Sequence, residues 1–442
     1  MRTMPVWPGA TRPPGFRRRR YVHLVVADWR RRLAVIVGVL VVLGGVGVYL
    51  LVDSMRDDEK QPAPAPSVIV DEQPAPATQD LGFPAFATKN TNRVAGLDPV
   101  ADAAGVALAV FPSAGGVTGP AAVSLVEDND WASGIAAASL AAQPIRAPIL
   151  LTGTDDIPDF TAEALSALAP AGSAKTDGKQ IFAIGSVTTP HDLEARRITG
   201  STPAEIAAEI DELRQKLTGD KPQHIVLASS DQPAYAMPAA AWAARSGDPV
   251  LFVSKGGAPK PTLAALRRDK RVPVYVLGPA SVISDKALEQ VRKVAPDAQR
   301  VGAEDPVENA ITFARYASGS FGWDVNDPGH GFVIASAGRP LDAAAAAPLS
   351  ASGDWGPLLI TDDPGQVPAT LRGYLLDVKP GYVNDPTRAV YNHVWLIGDQ
   401  GSISVGFQSQ VDDLAEVVQI RSGRGAQLGP LPGTPEHERG RP

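Results

Sequence analysis

Residues 224–253 read HIVLASSDQPAYAMPAAAWAARSGDPVLFV, and this stretch decides the fold. The apolar run at 224–229 is short and bounded by polar turn residues, as a buried strand is. The run at 249–253 opens on Pro249, and proline suits the first residue of a strand, where its missing N–H does least harm. Between them lies an Ala-rich segment whose small side chains let a helix lie close to a sheet. Continuous apolar strands joined by helices predict a parallel sheet covered on both faces.

Working outward from 224–253, the same plan occurs three times, a periodicity that marks tandem duplication. Each copy opens with a basic residue, an apolar residue and a small-residue turn: Arg93-Val94-Ala95-Gly96, Arg197-Ile198-Thr199-Gly200 and Arg300-Val301-Gly302-Ala303. A helix follows, clearest in the second copy, where Ile206, Ile210, Leu213 and Leu217 share a face and Thr202 precedes Pro203 as N-cap and first helical residue. Strands at 121–126, 224–229 and 331–336 come next, then an Ala-rich helix. The Pro-initiated strands at 148–152, 249–253 and 357–361 follow it. Each copy closes on an apolar strand ending in Gly185, Gly278 or Gly398. Modules are therefore expected at 93–192, 193–298 and 299–420, each a βαβαβ unit of ordinary domain size.

These motifs resemble the cell-wall-binding repeat type 2 family, found in tandem threes on exported proteins of Gram-positive bacteria. The likeness rests on the Arg-apolar-small-Gly opening, the start of the Ala-rich helix, the Pro-Ile-Leu-Leu-Thr strand and the Gly-ended strand followed by Val282-Ile283-Ser284 or Ile403-Ser404. It implies an α/β fold of three tandem flavodoxin- or Rossmann-like modules, with parallel sheets in a pseudo-threefold arrangement, binding an anionic wall polysaccharide. The Asp implied at the start of the Ala-rich helix is present as Asp342, with Ser133 and Tyr235 at the equivalent places, and Ala303 stands where the other openings have Gly.

The flanks carry a separate message. Residues 1–32 hold nine Arg against Asp28, and net +8 there in a chain of net −7 leaves −15 for the other 410 residues. Residues 33–52, LAVIVGVLVVLGGVGVYLLV, contain no charge, and as a helix span about 30 Å, the thickness of a bilayer core. Arg clusters stay on the cytoplasmic side. The expectation is a single-pass signal anchor at 33–52 with a cytoplasmic segment at 1–32. It would be followed by a Pro/Ala-rich extracytoplasmic linker at 53–92 and end in a disordered tail at 421–442.

Three sets of residues are candidates for ligand contact. Arg93, Arg197 and Arg300 recur at one position and have the geometry for a bidentate grip on carboxylate or phosphate, or for pairing with Asp98, Glu205 and Asp305 to fasten modules. Asn129 and Asp130, Asp231, and Arg339 with Asp342 lie in turns before the Ala-rich helices, at the carboxyl ends of strands, where parallel sheets bind ligands. Asp and Asn are also good helix caps. Trp131, Trp242, Trp323, Trp355 and Trp395 are the aromatic faces available for sugar stacking or core packing.

Catalytic patterns are sparse. There is no Cys, which excludes disulfides, thiol nucleophiles and Cys-ligated metals, and the six His form no HExxH pair. No Walker A, strand-to-helix GxGxxG or GxSxG elbow occurs. The reading is a noncatalytic binder of a cell-envelope polymer, without cofactor, metal or nucleic acid. A protein scaffold, a solute-binding receptor and a glycan hydrolase are the competing classes.

Overall fold

The computed structural model describes residues 84–112, 119–351 and 356–420. The basic segment at 1–32, the apolar run at 33–52, most of the linker and the tail at 421–442 lie outside them. Among the described residues no helix is long and apolar enough to cross a membrane.

Three parallel sheets carry the fold, and all have the same strand order. The first runs β4 (Ile149–Thr152), β3 (Val123–Glu127), β5 (Ile181–Ile184), β6 (Ala195–Ile198). The second runs β8 (Val250–Val253), β7 (Ile225–Ser229), β9 (Val274–Leu277), β10 (Gln299–Val301). The third runs β12 (Leu358–Thr361), β11 (Gly331–Ser336), β14 (His393–Ile397), β2 (Thr91–Val94), with β1 (Pro84–Ala87) antiparallel on the outside. A small parallel pair, β13 (Gly381–Tyr382) and β15 (Val418–Gln419), lies apart.

The three Arg-containing openings are strands, and each completes the sheet of the preceding copy. Arg197 sits in register with Ala183, Arg300 with Val276, and Arg93 with Leu396. The first opening therefore joins a sheet whose other parallel strands lie more than 230 residues later, and the chain closes into a ring. The sequence period and the hydrogen-bonded sheets are thus out of phase by one strand.

The prolines expected at strand starts stand one residue before β4, β8 and β12, all outer strands of their sheets. Their carbonyls accept from the neighbouring strands: Ser124 N donates to Pro148 O at 2.9 Å, Val226 N to Pro249 O at 3.0 Å and Val333 N to Pro357 O at 3.2 Å. Proline keeps its acceptor there, and the donor it lacks would face away from the sheet.

Eleven helices connect the strands among the described residues. Those following the openings are α1 (Pro99–Val110), α4 (Pro203–Thr218) and α8 (Pro306–Arg315), each with proline in its first turn. Asp98, Thr202 and Asp305 cap them, accepting from Ala101 N, Glu205 N and Glu308 N. The Ala-rich helices are α2 (Trp131–Ala141), α5 (Pro233–Ser246) and α9 (Leu341–Ala351), and each packs against the other two. Their sides are buried nearly all round, as a helix without a polar face requires. The alanines serve helix–helix approach as well as the helix–sheet approach expected from sequence. A Cβ built on Gly134 of α2 would stand 2.9 Å from Ala344 Cβ of α9.

Candidate functional site

The recurrent arginines act as clamps on the turn that follows the last strand of each sheet. Arg93, fully buried, donates Nε to Gln408 Oε1 at 2.8 Å and Nη1 to the carbonyls of Gly398 (2.9 Å), Asp399 (3.0 Å) and Ile403 (2.7 Å); Nη2 reaches Ser404 O at 3.2 Å. Arg300 donates to Gly278 O and Ile283 O, both at 2.8 Å, and pairs with exposed Asp285. Arg197 donates to Val187 O at 3.0 Å and Thr189 Oγ1 at 3.3 Å. The sequence marked these arginines and the Ile283-Ser284 and Ile403-Ser404 turns as separate motifs; in space they are partners. Gly185, Gly278 and Gly398 begin the turns with φ of 83°, 124° and 116°, a region open to glycine and strained for other residues.

The expected pairing of these arginines with Asp98, Glu205 and Asp305 does not occur. Asp98 and Asp305 are spent on helix caps, and Glu205 accepts from Ser201 N at 2.7 Å. Each strand arginine reaches the turn that follows the adjacent strand of its own sheet, and these helix-start acids are engaged elsewhere.

The turn residues divide. Asn129 is exposed, and Asp130 caps α2 by accepting from Ser133 N at 3.0 Å. Asp231, exposed, accepts from Lys255 N at 2.8 Å. Only at the third sheet do the candidates converge with other charges. Arg339 Nε lies 2.8 Å from Asp342 Oδ2, Nη1 lies 3.3 Å from Asp399 Oδ1, and Nη2 contacts Asp102 Oδ2. Asp342 comes from the first turn of α9, Asp102 from that of α1 and Asp399 from the turn after β14. Asp102 and Asp342 are fully buried, whereas Asp399 is partly open to solvent.

Electrostatics follow from that burial. Desolvation pushes Asp342 up to about 7 against the pull of Arg339, and pushes Asp102 well above the usual carboxylate range, helped by the nearby charge of Asp342. Burial also opposes ionisation of Asp399, but hydrogen bonds from Ser402 and Gly401 and the charge of Arg339 outweigh it and hold this carboxyl below its ordinary value. Arg93, beneath the same turn, is lowered to about 10 by burial. The cluster offers one cation and three carboxyl groups, with the two buried carboxyls poised to share a proton. It has the mixed donors and acceptors that a hydroxyl-rich or charged ligand needs, reached at the solvent side through Arg339 and Asp399.

The other two interfaces lack this chemistry. Strand register and helix starts align Asp102 with Ile206 and Asn309. Where the third copy has Asp342, Ser133 has a buried hydroxyl without a partner among the described residues, and Tyr235 donates its hydroxyl to Glu304 O. Asp102 and Asp399 were missed in the sequence because neither belongs to a recurring motif; an Asp in the otherwise apolar first part of α1 was the one available signal. Trp242 and Trp395 are in the core, Trp131 and Trp323 are half-buried, and Trp355 lies outside the described residues.

No curated protein matches the chain significantly. Among solved structures the fold is similar to Cwp6 from Clostridium difficile, at a TM-score of 0.59 and 20% identity over 74% of this chain. It is also similar to Cwp8 from Clostridium difficile, at a TM-score of 0.55 and 19% identity over 74% of this chain. The chain spans about half the length of these two proteins, 48% of the first and 52% of the second. Residues 197–288, from the Arg197 opening into α7 (Asp285–Arg292), match the family model Cell wall binding domain 2 (CWB2), the family that the sequence motifs resemble.

Proposed function

We propose that this chain binds a polymer of the bacterial cell envelope through three repeat modules, 93–192, 193–298 and 299–420, arranged in flavodoxin-like fashion about a pseudo-threefold axis. The axis would run among α2, α5 and α9. The match of 197–288 to the cell wall binding family carries this reading. The repetition of one sheet order supports its extension to the other two modules. In the same reading residues 33–52 hold the protein in the membrane with the modules outside, so that it couples membrane to wall without needing chemistry of its own.

The ligand contact proposed is the Arg339 cluster, since Arg339 and Asp399 are its solvent-facing charges. A body of net −15 outside the basic head gains no long-range attraction to an anionic polymer, so selectivity must come from such a local site. The test is sedimentation of the full chain with purified walls, before and after removal of anionic secondary polymers, for the wild type and Arg339→Gln. Retention that falls at least about tenfold on either change is expected. Wild-type protein that stays in the supernatant while capturing a protein or small solute would overturn the reading in favour of a scaffold or receptor.

A further inference from the structure

At the amino ends of the second sheet, opposite the turns discussed above, three side chains stand in line. His224 immediately precedes β7 and Asp248 stands two residues before β8. Asp248 Oδ2 lies 3.0 Å from His224 Nδ1 and accepts from Trp242 Nε1 at 3.0 Å, while Oδ1 accepts from the His224 backbone N at 2.9 Å. A carboxylate surrounded by donors accepts only, so the imidazole carries its proton on Nδ1 and leaves Nε2 as a base. Ser320 Oγ lies 3.1 Å from that Nε2. His224 and Asp248 are buried, and Ser320 is exposed.

The serine is held firmly although it sits on a loop. Ser318 and Phe321 close a tight turn around it through Ser318 N to Phe321 O (2.8 Å) and Phe321 N to Ser318 O (3.0 Å), with Gly319 at φ 63° and Gly322 at φ 103°. Phe321 stacks on Tyr275 at 3.6 Å and packs against the rings of His224 and Trp242 at 5.4 and 5.0 Å. Ser320 lines a cleft of about 430 Å³ together with Trp242, Arg245, Trp323 and His330, a size within the range of small-molecule sites. The half-buried Trp323 forms part of the cleft wall beside Trp242.

The fold does not require this arrangement. Strand register places Ala122 and Gly331 where His224 stands, and Ala147 and Gly356 where Asp248 stands. The first and third sheets form without the pair. The second sheet's His and Asp meet a serine supplied by the segment between α8 and β11.

We propose that Ser320, His224 and Asp248 form a nucleophile, base and orienting carboxylate that hydrolyse short O-acyl esters bound in this cleft. Ser320 Oγ attacks the ester carbonyl carbon as its proton passes to His224 Nε2, and the carbonyl electron pair moves onto oxygen. Collapse expels the alcohol, which takes the proton from Nε2 and leaves an acyl group on Ser320. Water then attacks that acyl carbon, giving its proton to Nε2, and Ser320 Oγ leaves with it, releasing the carboxylic acid. Asp248 holds the imidazole in the required tautomer throughout.

This activity is independent of wall binding and is tested on the full chain with p-nitrophenyl acetate and a fluorophosphonate probe. A single fluorophosphonate adduct on the peptide bearing Ser320 is expected. Ester hydrolysis should fall at least about a hundredfold in Ser320→Ala, with no change in Ser281→Ala, an exposed serine outside the cleft. Ser320 is exposed, so its truncation leaves the core intact and Ser320→Ala should still sediment with walls as the wild type does. Labelling of Ser320 no faster than that of Ser281, or unchanged hydrolysis in Ser320→Ala, would overturn the proposal.

Discussion

The arginine clamps allow a graded test of how the ring of sheets is closed. Arg93→Met keeps most of the apolar stem but removes five donated hydrogen bonds, four of them to backbone carbonyls. A buried acceptor left unsatisfied costs about 1 to 3 kcal/mol. Relaxation and water entry recover part of that, so the lower figure applied to each bond gives a loss of about 4 to 5 kcal/mol, near the limit for single substitutions. Arg300→Met removes two carbonyl bonds and an exposed ion pair, for about 2 kcal/mol. Arg197→Met removes one carbonyl bond and a long contact to a hydroxyl, for about 1 kcal/mol. Urea unfolding should rank the variants in that order. Hydrogen exchange in Arg93→Met should be accelerated first at residues 398–404, the turn it holds. An Arg93→Met variant no less stable than Arg197→Met, or one whose exchange gain lies elsewhere, would refute the clamp.

Two further outcomes are expected. Gly134→Leu should destabilise by about 3 kcal/mol or more, because even a Cβ there meets Ala344 Cβ at 2.9 Å. Gly134→Ala should cost less, since about 1 kcal/mol of helix propensity offsets the crowding; thermal unfolding distinguishes the two. For the buried carboxyls, Asp342 titrates near 7 when folded against 3.8 as its ordinary value, so between those pH values the folded state keeps a proton that the unfolded state has released. Stability should therefore fall as pH rises from about 4 to about 7, and Asp102, shifted in the same direction by burial, adds to the decline. Asp342→Asn should flatten that slope, and a melting temperature that declines as steeply in the variant as in the wild type would refute the assignment.

The elements themselves were legible from residues. Proline before each outer strand, alanine along α2, α5 and α9, and glycine at each strand end announce local conformations, because backbone preference and periodicity act over a few neighbours. The threefold plan was legible for the same reason, as a local pattern written out three times. Wall-type binding was implied by the family resemblance those motifs carry, and the match of 197–288 supports it. The site was legible only in part: Arg339 and Asp342, three residues apart on one turn, were found together.

Partners distant in the chain were decided by the tertiary structure alone. Nothing near Arg93 indicates that its acceptors lie at 398–408, or that β2 completes a sheet formed by β11, β12 and β14. Asp102 and Asp399 join Arg339 from two other elements, and Ser320 reaches His224 across 96 positions. Hydrogen-bond donors and charges find their partners through space, and which groups meet is fixed only when the three central helices bring the sheets together. Sequence set what each segment becomes; packing set which side chains share a site, because an interaction that decays over a few ångströms depends on proximity and not on order along the chain.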